Sequence, residues 1–124
     1  MQKTAVVVMA DPEAGEEALG RMFNALFLVE EMKGRDAEVA LLFQGTGTRW
    51  PARLLAPDHP ANGLYLSVQD RVAGVSQGCA TVFGAADGLR AAGQSLVADH
   101  EIPGVGKVQD LSRYPAEGWH LVIF

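Results

Sequence analysis

Two short apolar runs near the start of the chain have the continuous pattern of strands that are buried on both faces. Lys3–Met9 is rich in valine and bounded by polar residues, and Ala37–Phe43 repeats the pattern. Between them, Gly15–Lys33 carries apolar residues at helical spacing, namely Leu19, Met22, Phe23, Leu26 and Val29. Buried strands joined by a helix are typical of parallel sheets. This half of the chain therefore predicts a right-handed βαβ unit.

The rest of the chain has shorter apolar runs and more turn-forming residues. Helical spacing predicts helices at Pro51–Leu55, Asn62–Val72, Ala80–Leu89 and Val108–Tyr114. Short apolar runs predict strands at Gly74–Gln77, Ser95–Ala98 and Trp119–Phe124, with a glycine-rich loop at Asp99–Lys107. The whole pattern predicts an α/β fold, a three-layer sandwich with a mostly parallel sheet of about five strands.

Composition narrows the classes of partner and compartment. A chain of 124 residues fits one domain, spanning residues 1–124, with its own core. Its net charge of −5 argues against a nucleic-acid partner or an anionic membrane surface, which would need a basic face. A single cysteine forms no internal disulfide, and no apolar run approaches the length of a membrane span. We therefore expect a cytoplasmic protein.

The segment Val75–Ala86 contains the chain's one cysteine, Cys79, at a predicted strand-to-helix turn. Gly78 precedes it and is expected to let the backbone bend sharply. Ligands of open α/β sheets bind where the carboxyl ends of the strands meet. A thiol at the start of a helix also faces unpaired N–H groups, which favour the thiolate. A free cysteine is more often a small buried hydrophobic residue than a reactive thiol, and both roles of Cys79 stay open.

Polar and glycine residues follow the predicted strands and give a set of candidate binding residues. We expect a crevice beside Cys79 to be lined by Asp11, Gln44, Gly45, Thr46, Ser76 and Gly78. Each of these residues also has a simpler role as a cap or turn residue. The G-T-G sequence at 45–47 lacks the third glycine of a dinucleotide-binding fingerprint and the lysine of a P-loop, so no cofactor is predicted.

The remaining chemistry-bearing residues give weaker signals. His59, His100 and His120 have no metal-ligand spacing to one another or to Cys79, so no metal site is predicted. Arg49 and Arg53 are candidates for contact with an anion. Trp50, which lies between them, is equally suited to packing at a subunit contact.

Several segments together resemble one family. They are the N-terminal strand–helix–strand, the glycine-containing loop after Phe43, the run G-V-S-Q-G-C-A-T-V-F-G-A that starts at Gly74, and the terminal G-W-H-L-V-I-F. This arrangement resembles the DsrE/DsrF-like proteins of sulfur metabolism, which have the YchN-like fold. The resemblance implies a homo-oligomer, a trimer or hexamer. It also implies a persulfide-carrying Cys79 that exchanges sulfur with donor and acceptor proteins, in the manner of a sulfurtransferase.

The chain departs from the family pattern at two places. Many similar sequences have C-x-x-C at this turn, where Ser76 takes the first position, and longer sulfur-relay subunits have Arg-Gly where this chain has Phe83-Gly84. Sulfur relay through Cys79 is the leading interpretation. The alternative is a non-catalytic oligomeric protein that binds a small ligand or a partner in the same crevice. A thiol redox role is disfavoured because the chain has no resolving cysteine.

Overall fold

The structure, a computed structural model, describes residues 2–124, in which helices alternate with strands. The strands are β1 (Lys3–Val8), β2 (Glu38–Phe43), β3 (Val72–Val75), β4 (His100–Ile102), β5 (Gly106–Val108) and β6 (His120–Ile123). The helices are α1 (Glu16–Gly34), α2 (Trp50–Leu54), α3 (Asn62–Val68), α4 (Gln77–Val82), α5 (Ala86–Ala91) and α6 (Arg113–Ala116). Short 3₁₀ turns occupy Gly45–Arg49 and Gln69–Arg71.

The main sheet has four strands in the order β3-β2-β1-β6, and every neighbouring pair is parallel. β1 and β2 pair without a register shift from Lys3↔Glu38 to Val8↔Phe43. The predicted α/β class with a mostly parallel sheet is confirmed, as are the first strand, the helix and the second strand of the βαβ unit.

Both faces of the sheet are covered, because the side chains of a strand alternate between its two faces. One face packs against α1 to α5, through a large core that includes Val6, Val8, Leu41, Phe43, Met22, Leu26, Trp50, Tyr65 and Leu89. The other face packs against the segment around α6, through Ala5, Val7, Ala40, Leu42, Leu111, Tyr114 and Trp119. These three layers place α4 and the 3₁₀ turn Gly45–Arg49 at the carboxyl edge of the sheet.

Several predictions for the second half of the chain are wrong in detail. The helix predicted over Ala80–Leu89 is two helices, α4 and α5, because Gly84 adopts a φ of 71° that ends the first. The strand predicted at Ser95–Ala98 is a single bridge, Ser76↔Val97. The chain turns away there because the Asp99 N–H donates to the Val108 carbonyl.

The predicted loop Asp99–Lys107 instead contains an antiparallel hairpin of β4 and β5. The helix predicted at Val108–Tyr114 is the short α6, which starts at Arg113 and holds Pro115 in its first turn. Proline is tolerated there because its missing N–H has no partner to lose. Within residues 2–124, every helix is too short or too polar to cross a bilayer.

Candidate functional site

The carboxyl ends of β1, β2 and β3 lie level with one another and bring three loops together. Val8 pairs with Phe43, which pairs with Val75. The Gln44 N–H donates to the Val8 carbonyl, and the Ser76 N–H donates to the Phe43 carbonyl. The residues that follow the strands therefore sit side by side. Asp11, Gln44, Gly45, Thr46, Ser76, Gly78 and Cys79 all belong to this edge.

The turn after β2 packs directly onto the end of β1. A Cβ atom at Gly47 would lie 2.0 Å from the Val8 carbonyl oxygen, so only glycine allows this approach. The Thr46 hydroxyl donates to the Met9 carbonyl at 3.0 Å, and Gly45 adopts a φ of 58°. The G-T-G sequence thus joins two strand ends, and its threonine hydroxyl is already bonded.

Arg49 connects the loop after β1 to α4. Its Nη1 donates to both carboxylate oxygens of Asp11 at 3.1 Å and lies 2.8 Å from Glu13 Oε2. Its Nε donates to the Phe83 carbonyl at 3.1 Å. A hydrogen bond from the Glu13 N–H, followed by the bond and charge of Arg49, lowers the pKa of Asp11 against the opposing effect of burial. The Arg49 charge is therefore matched by two carboxylates.

Cys79 lies in the first turn of α4 and is partly exposed. Phe83 follows one turn later, and its N–H donates to the Cys79 carbonyl at 3.0 Å. The Phe83 carbonyl is in turn the acceptor for Arg49. This chain of bonds fixes the helix that carries the thiol relative to Asp11 in the loop after β1.

Ser76 and Gly78 have packing roles beside the thiol. Ser76 is fully buried, and its Oγ accepts the Gln109 N–H at 3.1 Å instead of capping α4. Gly78 lies inside α4 with an ordinary helical backbone, so the predicted sharp bend is wrong. A Cβ there would come within 2.7 Å of Val108 Cγ1 and 2.9 Å of the Lys107 carbonyl. Glycine at this position lets β5 pack against the helix.

Gln109 is the residue of this edge that sequence reasoning missed. Its side chain is buried, and its Nε2 donates to Gln44 Oε1 at 3.3 Å. A Cβ at Gly74 would lie 1.8 Å from Gln109 Oε1, so the glutamine occupies the space that a side chain at 74 would need. A glycine inside a buried strand often marks such an approach, which is the signal that points to Gln109.

Arg49 also lines a cleft of about 320 Å³, a volume within the range of small-molecule sites. It is lined by Glu13, Arg49, Ala52, Arg53, Phe83, Gly84, Ala85 and Gly88. Arg53 is half-exposed there and is 3.8 Å from Glu13 Oε2. Cys79 does not line this cleft, so the thiol and the cleft are neighbouring features joined through Arg49.

Two of the other residues considered in the sequence analysis, Trp50 and His59, have local structural roles. Trp50 is buried, and its indole N–H donates to the Ala10 carbonyl at 2.7 Å, so it belongs to the core and not to a subunit contact. His59 Nδ1 accepts the Ala61 N–H at 3.0 Å. His100 and His120 lie exposed on β4 and β6. Among residues 2–124, no group of three or more His, Cys, Asp or Glu side chains has the arrangement of a metal site.

Comparisons of the chain with models of protein families, with curated proteins and with solved structures found no match. The arrangement of side chains therefore carries the functional argument. Chemically, the edge offers one partly exposed thiol, one side-chain amide at the strand end, and a neutralised guanidinium. Such a set fits nucleophilic sulfur chemistry or the binding of a small polar ligand.

Proposed function

We propose that this protein is a cytoplasmic sulfur-relay protein of the DsrE/DsrF-like type, with the YchN-like fold and with Cys79 as the persulfide carrier. The observation that carries the proposal is the position of the thiol. Cys79 is partly exposed in the first turn of the helix that follows a parallel strand, at the carboxyl edge of the sheet. The resemblance described above places the sulfur-carrying cysteine of the family at the same turn.

The chemistry requires only a thiolate and a sulfur donor. The Cys79 thiolate attacks the terminal sulfur of a donor persulfide or polysulfide, and a new S–S bond forms at Sγ. The S–S bond within the donor breaks, and the shortened donor leaves with the electron pair. The transferred sulfur brings its own oxidation level, so no external oxidant is required. The same step run towards an acceptor thiolate passes the sulfur on.

The local structure favours this step in two ways. Ser76 does not cap α4. The Gln77 N–H donates to the Val97 carbonyl, but the Gly78 and Cys79 N–H groups have no acceptor among residues 2–124 and lie in the turn that carries the thiol. The bonds from Arg49 to Asp11 and Phe83 hold the helix in place. Arg49 itself is matched by carboxylates, so the backbone and not this cation is the source of positive potential for the thiolate.

The test is the mass of the folded chain after incubation with inorganic polysulfide. The proposal predicts one adduct of about 32 Da, the mass of one sulfur atom, which dithiothreitol removes. The Cys79→Ser variant differs by a single atom and should show no adduct. A wild-type chain that stays at its original mass under conditions that convert free glutathione to its persulfide would contradict the proposal.

The cleft beside Arg49 favours a second candidate, a non-catalytic oligomeric protein that binds a small ligand or a partner. Its size suits a small molecule, and Arg53 is exposed at its wall. Alkylation separates the two functions. A sulfur carrier should react with iodoacetamide at neutral pH at least as fast when folded as when unfolded in urea. Protection of Cys79 in the folded state would favour the binding function instead.

A further inference from the structure

The side-chain amide of Gln109 is held at its nitrogen end and free at its oxygen end. Gln109 is 3% exposed, and its Nε2 donates to Gln44 Oε1. Its Oε1 is buried without a hydrogen-bond partner among residues 2–124. A buried amide oxygen without a donor is costly, so this side chain is retained at an energetic disadvantage. The orientation of this amide therefore needs a structural explanation.

Gly74 explains why the amide takes this orientation. The position that a Cβ would occupy at Gly74 lies 1.8 Å from Gln109 Oε1, so the Cα hydrogen there is directed at that oxygen. A carbonyl oxygen tolerates a Cα–H contact, and the contact is weakly favourable. If the Gln109 amide were inverted, the hydrogens of its NH₂ group would instead clash with the Gly74 Cα hydrogen. The inverted orientation is therefore excluded by the backbone of β3.

The orientation of Gln109 dictates that of Gln44. Because Gln109 presents N–H to Gln44, the amide oxygen of Gln44 must be the end that accepts this bond. The Gln44 NH₂ group is then the free end. Gln44 is partly exposed, and its Nε2 makes no hydrogen bond to residues 2–124. The end of β2, which is bonded to the end of β3 that leads into α4, thus presents a donor and not an acceptor.

We propose that Gln109 is a positioning residue, which fixes the Gln44 amide so that its NH₂ group serves as a hydrogen-bond donor at the carboxyl edge of the sheet. The ligand class that this donor fits is one with an acceptor or anionic atom. The identity of that atom rests on the proposed function, under which it is the terminal sulfur of a persulfide or polysulfide during its transfer to Cys79. A carbonyl or carboxylate group of another ligand would use the same donor.

The orientation is tested in the wild-type chain by NMR exchange of the glutamine side-chain NH₂ protons with water. We expect the Gln109 protons to exchange at least tenfold more slowly than those of Gln44, because they are buried and bonded. In Gln109→Glu the new carboxylate accepts only, so Gln44 must turn its NH₂ inward, and its protons should become at least tenfold more protected. Faster exchange at Gln109 than at Gln44 in the wild type would overturn the proposal.

The functional consequence is tested by the initial rate of sulfur uptake from inorganic polysulfide. Gln109→Met, which removes the amide without adding charge, and Gln44→Glu should each lower the rate at least threefold. Gln69→Glu, on an exposed 3₁₀ turn, is the charge-matched control and should load at the wild-type rate. Unchanged uptake in both site variants would overturn the role of the Gln44 donor. A wild-type chain that takes up no sulfur overturns the proposed function instead, while the exchange rates still decide the orientation.

Discussion

Asp11 and Arg49 form the ion pair that joins the loop after β1 to the turn after β2. Their side chains are 29% and 24% exposed, so water screens the pair only in part. Asp11 also accepts the Glu13 N–H, which closes a turn of the loop. The position of Asp11 in the sequence predicts one of two roles, either a helix cap or a binding residue. It caps neither end of α1, whose N-cap is Gly15, and it instead anchors Arg49.

The ion pair should make the stability of the fold depend on acid pH. The pKa of Asp11 is lowered in the folded state, so its contribution is complete above about pH 4–5, the range of an unfolded Asp, and is lost as pH falls through the folded value. Asp11→Asn keeps an acceptor for Glu13 but loses the charge. It should reduce the free energy of unfolding by about 1 kcal/mol or less at pH 7, given the partial exposure. Urea unfolding at pH 7 and pH 3 should show this difference shrinking; a difference that grows at pH 3 would contradict it.

Tyr65 carries a buried hydroxyl that makes no hydrogen bond within residues 2–124. Its ring packs edge-on to Phe43, and burial raises the pKa of Tyr65 to about 12. Tyr65→Phe keeps the ring and removes the unpaired group, so it should increase the free energy of unfolding by about 1 kcal/mol. The wild type should lose further stability as pH rises above 10, where the unfolded tyrosine ionises first, and the variant should not. Denaturation at pH 7 and pH 10.5 measures both, and a destabilised variant at pH 7 would refute the assignment.

At the scale of elements, long patterns are predicted well and short ones are not. α1 was predicted from its apolar spacing, and β1 and β2 were predicted from their continuous apolar runs. Each of these elements buries enough side chains for its hydrophobic pattern to be visible in the sequence. β4 and β5 have three residues each and are held by backbone pairing, so their sequences carry no alternation. Gln109 escaped notice for a different reason, since its partners come from two segments that are distant in sequence, the ends of β2 and β3.

The turn that follows β2 depends on a glycine, which gives a prediction at this scale. A Cβ at Gly47 would lie 2.0 Å from the Val8 carbonyl oxygen, and backbone must move to admit it. Gly47→Ala should therefore lower the free energy of unfolding by about 2–3 kcal/mol. Gly20→Ala in the middle of α1 is the matched control, because no atom lies within 4 Å of its added Cβ. The control should gain about 0.5–1 kcal/mol in urea unfolding. Equal effects of the two substitutions would disprove the contact.

At the scale of the whole molecule, we predict a homo-oligomer, a trimer or hexamer, from the family resemblance. Apolar surface is available for an interface, since Phe27 and Ile123 are 45% and 57% exposed. Ile123 lies on β6, which pairs only with β1 among residues 2–124. Trp50 and Leu64 offer no such surface, because Trp50 is buried and Leu64 packs on the core. Light scattering should report three or six times the mass of one chain, and the mass of a single chain at micromolar concentration would contradict the prediction.

Sulfur relay requires that folded Cys79 both receive sulfur and pass it on, and the second step is the more demanding. The most direct measurement loads the chain with polysulfide, removes the excess, adds glutathione, and follows the mass of the protein with time. We expect the adduct of about 32 Da to disappear as glutathione persulfide forms, at least as fast in the folded chain as in urea. An adduct that persists in the folded chain and is released only on unfolding would rule out sulfur relay through Cys79.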